Sequence, residues 1–173
     1  MKTIVMFLMA VIMVNFTVTA ATQKGSTTKK IQTVRIVKKG KAPRKVVNVT
    51  PVPVSDSLIK SLVKVETGGD RTKIGNAGEI GILQILPCVI DDVNNLVEHK
   101  KTYVIDDALD DAKAKEICRK YLGYWGAVYQ KREGMKVTDQ ILSRIWNGGP
   151  TGYKKYATVC YWTKVNKALR SIA

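Results

Sequence analysis

The sequence predicts a mainly α-helical domain with a small β or loop region, and three observations carry that reading. Apolar residues recur at helical spacing in five stretches between Leu58 and Leu169. Most of these stretches are bounded by a capping residue, a proline or a glycine. One polar, glycine-rich stretch between Gly69 and Ile80 lacks the helical period and carries the turn residues Gly75-Asn76-Ala77-Gly78. A chain of 173 residues accommodates one such domain with a real core, plus additional sequence.

The additional sequence stands first. Lys2 is followed by an apolar run from Ile4 to Val14, and Val18-Thr19-Ala20 offers a small-residue cleavage site. Residues 1–20 therefore read as a secretory signal peptide. The alternative is an anchor in the inner membrane formed by residues 4–20. Cleavage would leave the protein secreted, periplasmic or in the cell envelope. Residues 21–54 read as a basic, disordered linker, with nine Lys or Arg and no acid. Such a stretch suits attachment to an anionic envelope surface. Nucleic acid is not expected as a partner, because no aromatic residue interleaves these charges to stack on bases. The domain itself is expected over residues 55–173, as a monomer.

Leu58, Ile59, Leu62 and Val63 predict the first helix of that domain, capped by Ser55, Asp56 or Ser57 and stopped by Gly68 and Gly69. Glu66 lies four residues after Leu62 and seven after Ile59, so it falls on the apolar stripe at the helix's C-terminal end. Burial and the negative end of the helix dipole both raise a carboxyl pKa, which suits a general acid. Pro87 opens a second helix through Val97, with Asp91 and Asp92 in its first turn. Asp106, Asp107, Asp110 and Asp111 precede a long helix and read as capping residues; they lack the spacing of a calcium loop. That long helix carries a stripe of Ile117, Tyr121, Trp125 and Val128, widened by Cys118 and Leu122, and ends at Gly134. Thr138 caps a further helix to Trp146, which leads into Asn147-Gly148-Gly149-Pro150. Trp162, Val165 and Leu169 predict a closing helix from about Val159.

Three short motifs then line up in order: Glu66-Thr67, Gly81-Ile82-Leu83-Gln84 and Trp146-Asn147-Gly148-Gly149-Pro150. Together they resemble the lysozyme-like lytic transglycosylase family, relatives of goose-type lysozyme, over about Ser55 to Leu169. This sequence has Thr67 where the family has Ser, Ile-Leu where it has Leu-Met, and Trp146 where it has Tyr. The resemblance implies a mainly α, α+β lysozyme-like fold with the small β region beside a cleft. It implies an enzyme acting on peptidoglycan glycan strands at the bond between N-acetylmuramic acid and N-acetylglucosamine. Glu66 would be the catalytic acid and base, giving a 1,6-anhydromuramic product. Thr67, Gln84, Trp146 and Asn147 would bind substrate, with Gln84 and Asn147 holding the acetamido group or the C6 hydroxyl. Two alternatives stand beside this lyase. One is an inverting, lysozyme-type hydrolase, for which Asp70 and Glu79 are the candidate second carboxylates. The other is a non-catalytic peptidoglycan-binding protein of the same fold, against which the joint presence of Glu66, Gln84 and Asn147 argues.

No cofactor or metal is called for. His99 stands among Glu and Lys without a partner in sequence, and Cys88, Cys118 and Cys160 are too widely spaced for a zinc site. Three cysteines allow three single pairings. Cys88 with Cys118 is favoured, since both fall on helices able to pack together, leaving Cys160 free.

Overall fold

The computed structural model describes residues 46–172. The signal or anchor segment, and the linker up to residue 45, lie outside the described residues. Within them the chain is helical, as expected. Helix α1 spans Asp56–Glu66, α2 Pro87–Asp92, α3 Asp111–Glu133, α4 Asp139–Gly148 and α5 Val159–Arg170. No helix among the described residues is long and apolar enough to cross a membrane.

Helix α3 is the axis of the core. Every residue from Tyr121 to Tyr129 on it is buried, so the expected stripe widens to the whole circumference. A helix apolar on all sides needs cover on all sides. Part of that cover comes from residues 46–54, which the sequence places in the linker. They run as an extended strap on α3, with the Val52 amide donating to the Gly123 carbonyl at 3.0 Å and the Val47 amide to the Tyr124 hydroxyl at 2.8 Å. Gly126 makes room for the strap, because a Cβ there would press on the Val52 side chain. Helix α5 packs on α1 and on α4.

The caps follow local chemistry. The Ser55 hydroxyl accepts from the Leu58 amide, the Asp110 carboxylate from the Lys113 amide and the Thr138 hydroxyl from the Ile141 amide. Asp107 accepts from the Val104 amide and pairs with Lys113, and Asp111 pairs with Arg71. The acidic run is thus engaged in capping and ion pairs, and no group of metal-binding side chains occurs among the described residues.

Three expectations are corrected. Helix α2 ends at Asp92 and gives way to a wider π turn over Val93–Glu98. The cause is Asn94, whose side chain is tied to the backbone of Thr102 and Tyr103 by three hydrogen bonds of 2.8 to 3.0 Å. Asp92 is buried near the helix end, not displayed in its first turn. All three cysteines are free: Cys118 is enclosed in the core while Cys88 and Cys160 face solvent, so the favoured Cys88–Cys118 bridge does not form.

The expected small β region is reduced to single bridges, Ile74 with Ile80 and Ile80 with Ile85. The second closes a tight turn through Gly81-Ile82-Leu83-Gln84, with reciprocal amide–carbonyl bonds between Ile80 and Ile85 at 3.2 and 2.9 Å.

Candidate functional site

Glu66 closes α1, at the position its apolar stripe predicts. Thr67 follows as the C-cap, and its hydroxyl donates to the Ile82 carbonyl at 2.9 Å. That one bond ties the end of α1 to the Gly81–Gln84 turn. From the other side α4 brings Trp146 and Asn147. Asn147 lies in the last turn of α4, one residue before the helix ends, so the helix fixes its backbone; the sequence places it in a loop.

These elements enclose a cleft of about 230 Å³. Glu66, Lys73, Glu79, Gln84, Trp146 and Asn147 line it, with Leu86 and Val89 as an apolar wall. Four of the five sequence-chosen residues are therefore gathered here. Thr67 is not among the lining residues, because its hydroxyl is engaged in the bond to Ile82. Gln84 has a left-handed backbone, φ 49°, unusual for a residue with a side chain. Its amide nitrogen donates to the carbonyls of Lys73 at 2.9 Å and Gly81 at 3.1 Å, which leaves the amide oxygen for a ligand.

The main feature missing from the sequence reading is Tyr161. It lies on α5, ninety-five residues from Glu66, and its hydroxyl donates to Glu66 Oε1 at 2.6 Å. The Trp146 side chain stands beside the same carboxyl and, like Tyr161, favours its charged form. Burial pushes the Glu66 carboxyl above its ordinary value, and Tyr161, Trp146 and the charge of Lys73 pull back against it. Burial, with the neighbouring Glu66 charge, pushes the Tyr161 phenol far up, so it remains a donor. The position of Tyr161, four residues before buried Val165, was the available signal.

The two candidate second carboxylates separate. Asp70 is not in the cleft lining; its carboxylate accepts from the Thr72 amide and hydroxyl at 2.8 and 2.7 Å. Glu79 lines the cleft, but its Oε2 accepts from the Ala77 amide at 2.7 Å. A larger cavity, about 470 Å³, lies between Ile90, Asn94 and Tyr103. There the Asn94 amide is engaged with backbone and the Tyr103 hydroxyl with Glu116, whereas the motif residues converge on the smaller cleft.

A raised carboxyl pKa has a stability consequence. Between its unfolded and folded pKa, Glu66 keeps its proton in the folded chain and loses it in the unfolded one, so stability falls as pH rises through that window. Glu66→Gln keeps the shape and can accept the Tyr161 hydrogen bond through its amide oxygen without the charge. It is expected to raise Tm at pH 7 by about 2 to 4 °C, with the gain shrinking below about pH 4. Thermal melts at the two pH values check this; an equal gain at both would place its source elsewhere.

No protein-family model matches the sequence, and no curated protein matches it. Solved structures do match in fold. One match is a chain of the crystal structure of Aeromonas hydrophila PliI in complex with Meretrix lusoria lysozyme, with TM-score 0.52 and 21% identity, covering 66% of this chain and 89% of that one. Another is a chain of the crystal structure of inhibitor-bound lysozyme from Meretrix lusoria, with TM-score 0.53 and 24% identity and the same coverage. At such identities the likeness establishes the fold, which is mainly helical and lysozyme-like. It also corrects the functional expectation. Both matches come from crystals of a lysozyme held with an inhibitor, and neither is a transglycosylase. The expectation of an active lyase, with a hydrolase as its runner-up, is thereby corrected: the structures this chain matches are of a lysozyme and its inhibitor, and they carry no support for a transglycosylase.

Proposed function

We propose that the chain is a non-catalytic peptidoglycan-binding protein that holds a glycan strand in the Glu66 cleft. The observation that carries this reading is the pinning of Glu66. Tyr161 donates to its Oε1 from α5 and the Trp146 side chain stands beside it, so the carboxyl is engaged by the protein's own side chains rather than presented to a leaving group. Around it stand groups suited to recognition: the Asn147 amide, the Gln84 oxygen and the Trp146 ring. The order and spacing of the three motifs support kinship with the lytic transglycosylases as the origin of the cleft, without the activity. The apolar run before Ala20 supports export, and the nine basic residues of 21–54 support a second attachment to anionic envelope polymers.

The experiment is a sedimentation assay of the chain with purified peptidoglycan, followed by mass spectrometry of the glycan ends. The protein is expected to pellet with the wall, to create no new ends, and to slow clearing of the suspension by an added lysozyme. Release of reducing or 1,6-anhydromuramic ends would overturn the reading.

A further inference from the structure

We propose that Lys73 is a specificity-determining residue of the cleft, selecting glycan that carries carboxylates over uncharged chitin-type glycan. The inference rests on the glycan-binding reading above and names its ligand class. Lys73 belongs to the polar stretch after Gly69, yet its ammonium is not adrift in solvent. Its Nζ donates to the Glu66 main-chain carbonyl at 2.9 Å, at the C-terminal end of α1. The negative end of a helix dipole favours a cation there. At the base of the same side chain, the Lys73 carbonyl accepts from the Gln84 amide at 2.9 Å. The residue is thus held at both ends against the two cleft walls.

An ammonium has three donors, and only one is engaged here. No carboxylate stands within ion-pair distance of Lys73 among the described residues; the ion pairs they form lie on Arg71, Lys113, Arg119, Lys120 and Lys154. Glu79, one of the two carboxyl groups in the cleft lining, folds back onto the Ala77 amide. Lys73 therefore presents an ammonium without a direct ion pair beside a line of amides, close enough to the Glu66 carboxyl to act on it. Acetamido sugars satisfy the amides whether or not they carry charge. A muramic residue adds a lactyl carboxylate, and that group complements Lys73 through a charge-assisted hydrogen bond.

The test is calorimetric titration of the chain with two tetrasaccharides: chitotetraose, and peptide-free glycan alternating N-acetylglucosamine with N-acetylmuramic acid. The wild-type chain is expected to prefer the carboxylated sugar by about fivefold, the range of a partly exposed ion pair, and less at high salt. Lys73→Gln should erase the preference, bringing the affinities for the two sugars together, while Lys73→Arg should retain it. Equal affinity of the wild-type chain for both sugars, or parallel weakening of both by Lys73→Gln, would overturn the role of Lys73 and leave glycan binding standing. Binding of neither sugar would overturn the glycan-binding reading and this inference with it.

Discussion

Gly81→Ala is expected to destabilise the folded chain by about 4 kcal/mol, combining a strained backbone with an overpacked contact. Gly81 has φ 73°, the left-handed region in which a side chain crowds the following carbonyl. The larger part of the loss comes from outside the turn. A Cβ at Gly81 would run into the main-chain carbonyl of Ala108, and backbone cannot move aside as a flexible side chain can. Ala108 is itself buried in the 3-10 turn Ile105–Leu109, which leads directly into the cap of α3. The turn that carries Gln84 is therefore seated backbone-to-backbone on the entrance to the central helix. Gly78→Ala is the control: φ is 84° there, but nothing lies within 4 Å of the added carbon. It should cost only the conformational part, about 1 kcal/mol. Urea unfolding of both variants separates the two contributions; equal losses would show that the Ala108 contact yields. Glycan binding should weaken with Gly81→Ala even where the fold survives, since Thr67 reaches this same turn through Ile82.

The helical frame was legible because its signal is local. Leu58, Ile59 and Leu62 repeat along one helix face, and all three are buried. Glu66 inherits its place from that stripe. Ser55, Asp110 and Thr138 cap helices because a short side-chain oxygen reaches the next turn of its own chain. What escaped the sequence is non-local. Tyr161 meets Glu66 only because α5 packs across α1, and nothing near either residue announces the other. The strap of residues 46–54 escaped because its basic surroundings and prolines read as linker. Its seat is written elsewhere, in Gly123 and Gly126, whose missing side chains let Val52 approach α3. The π turn escaped because Asn94 widens the helix through bonds to residues eight and nine positions on. The cysteine pairing failed for a related reason: shared helical neighbourhoods do not fix the direction in which Cys88 and Cys118 point. Function was the least legible part. A half-buried glutamate with amides around it suits proton transfer and passive recognition alike, and the side chains that engage it lie on α4 and α5, far from it in sequence.

Thr158→Val is the second large expected effect, a loss of about 2 kcal/mol, because it removes a hydrogen-bonding centre without changing volume. Thr158 is 2% exposed. Its hydroxyl accepts from Arg144 Nε at 2.9 Å and lies 2.8 Å from the carbonyls of both Gly152 and Lys155, to which it donates its one proton. Arg144 also donates to the Lys155 carbonyl at 3.0 Å, so α4, the turns after it and the start of α5 meet at one point. Valine fills the same space but leaves the Gly152 carbonyl and the Arg144 donor without that partner in a dry site, where an unsatisfied group is costly. The loss should reach the cleft. Lys155 Nζ donates to the Gly148 carbonyl at 2.6 Å, and Gly148 follows Asn147 directly. Loosening residues 152–158 therefore releases the end of α4 and the orientation of the Asn147 amide. Thr158→Ser keeps the hydroxyl and is expected to retain most of the stability and the binding. Chemical unfolding and glycan titration of both variants test this. A stable Thr158→Val chain with full affinity would show that the Asn147 turn is held by α4 alone.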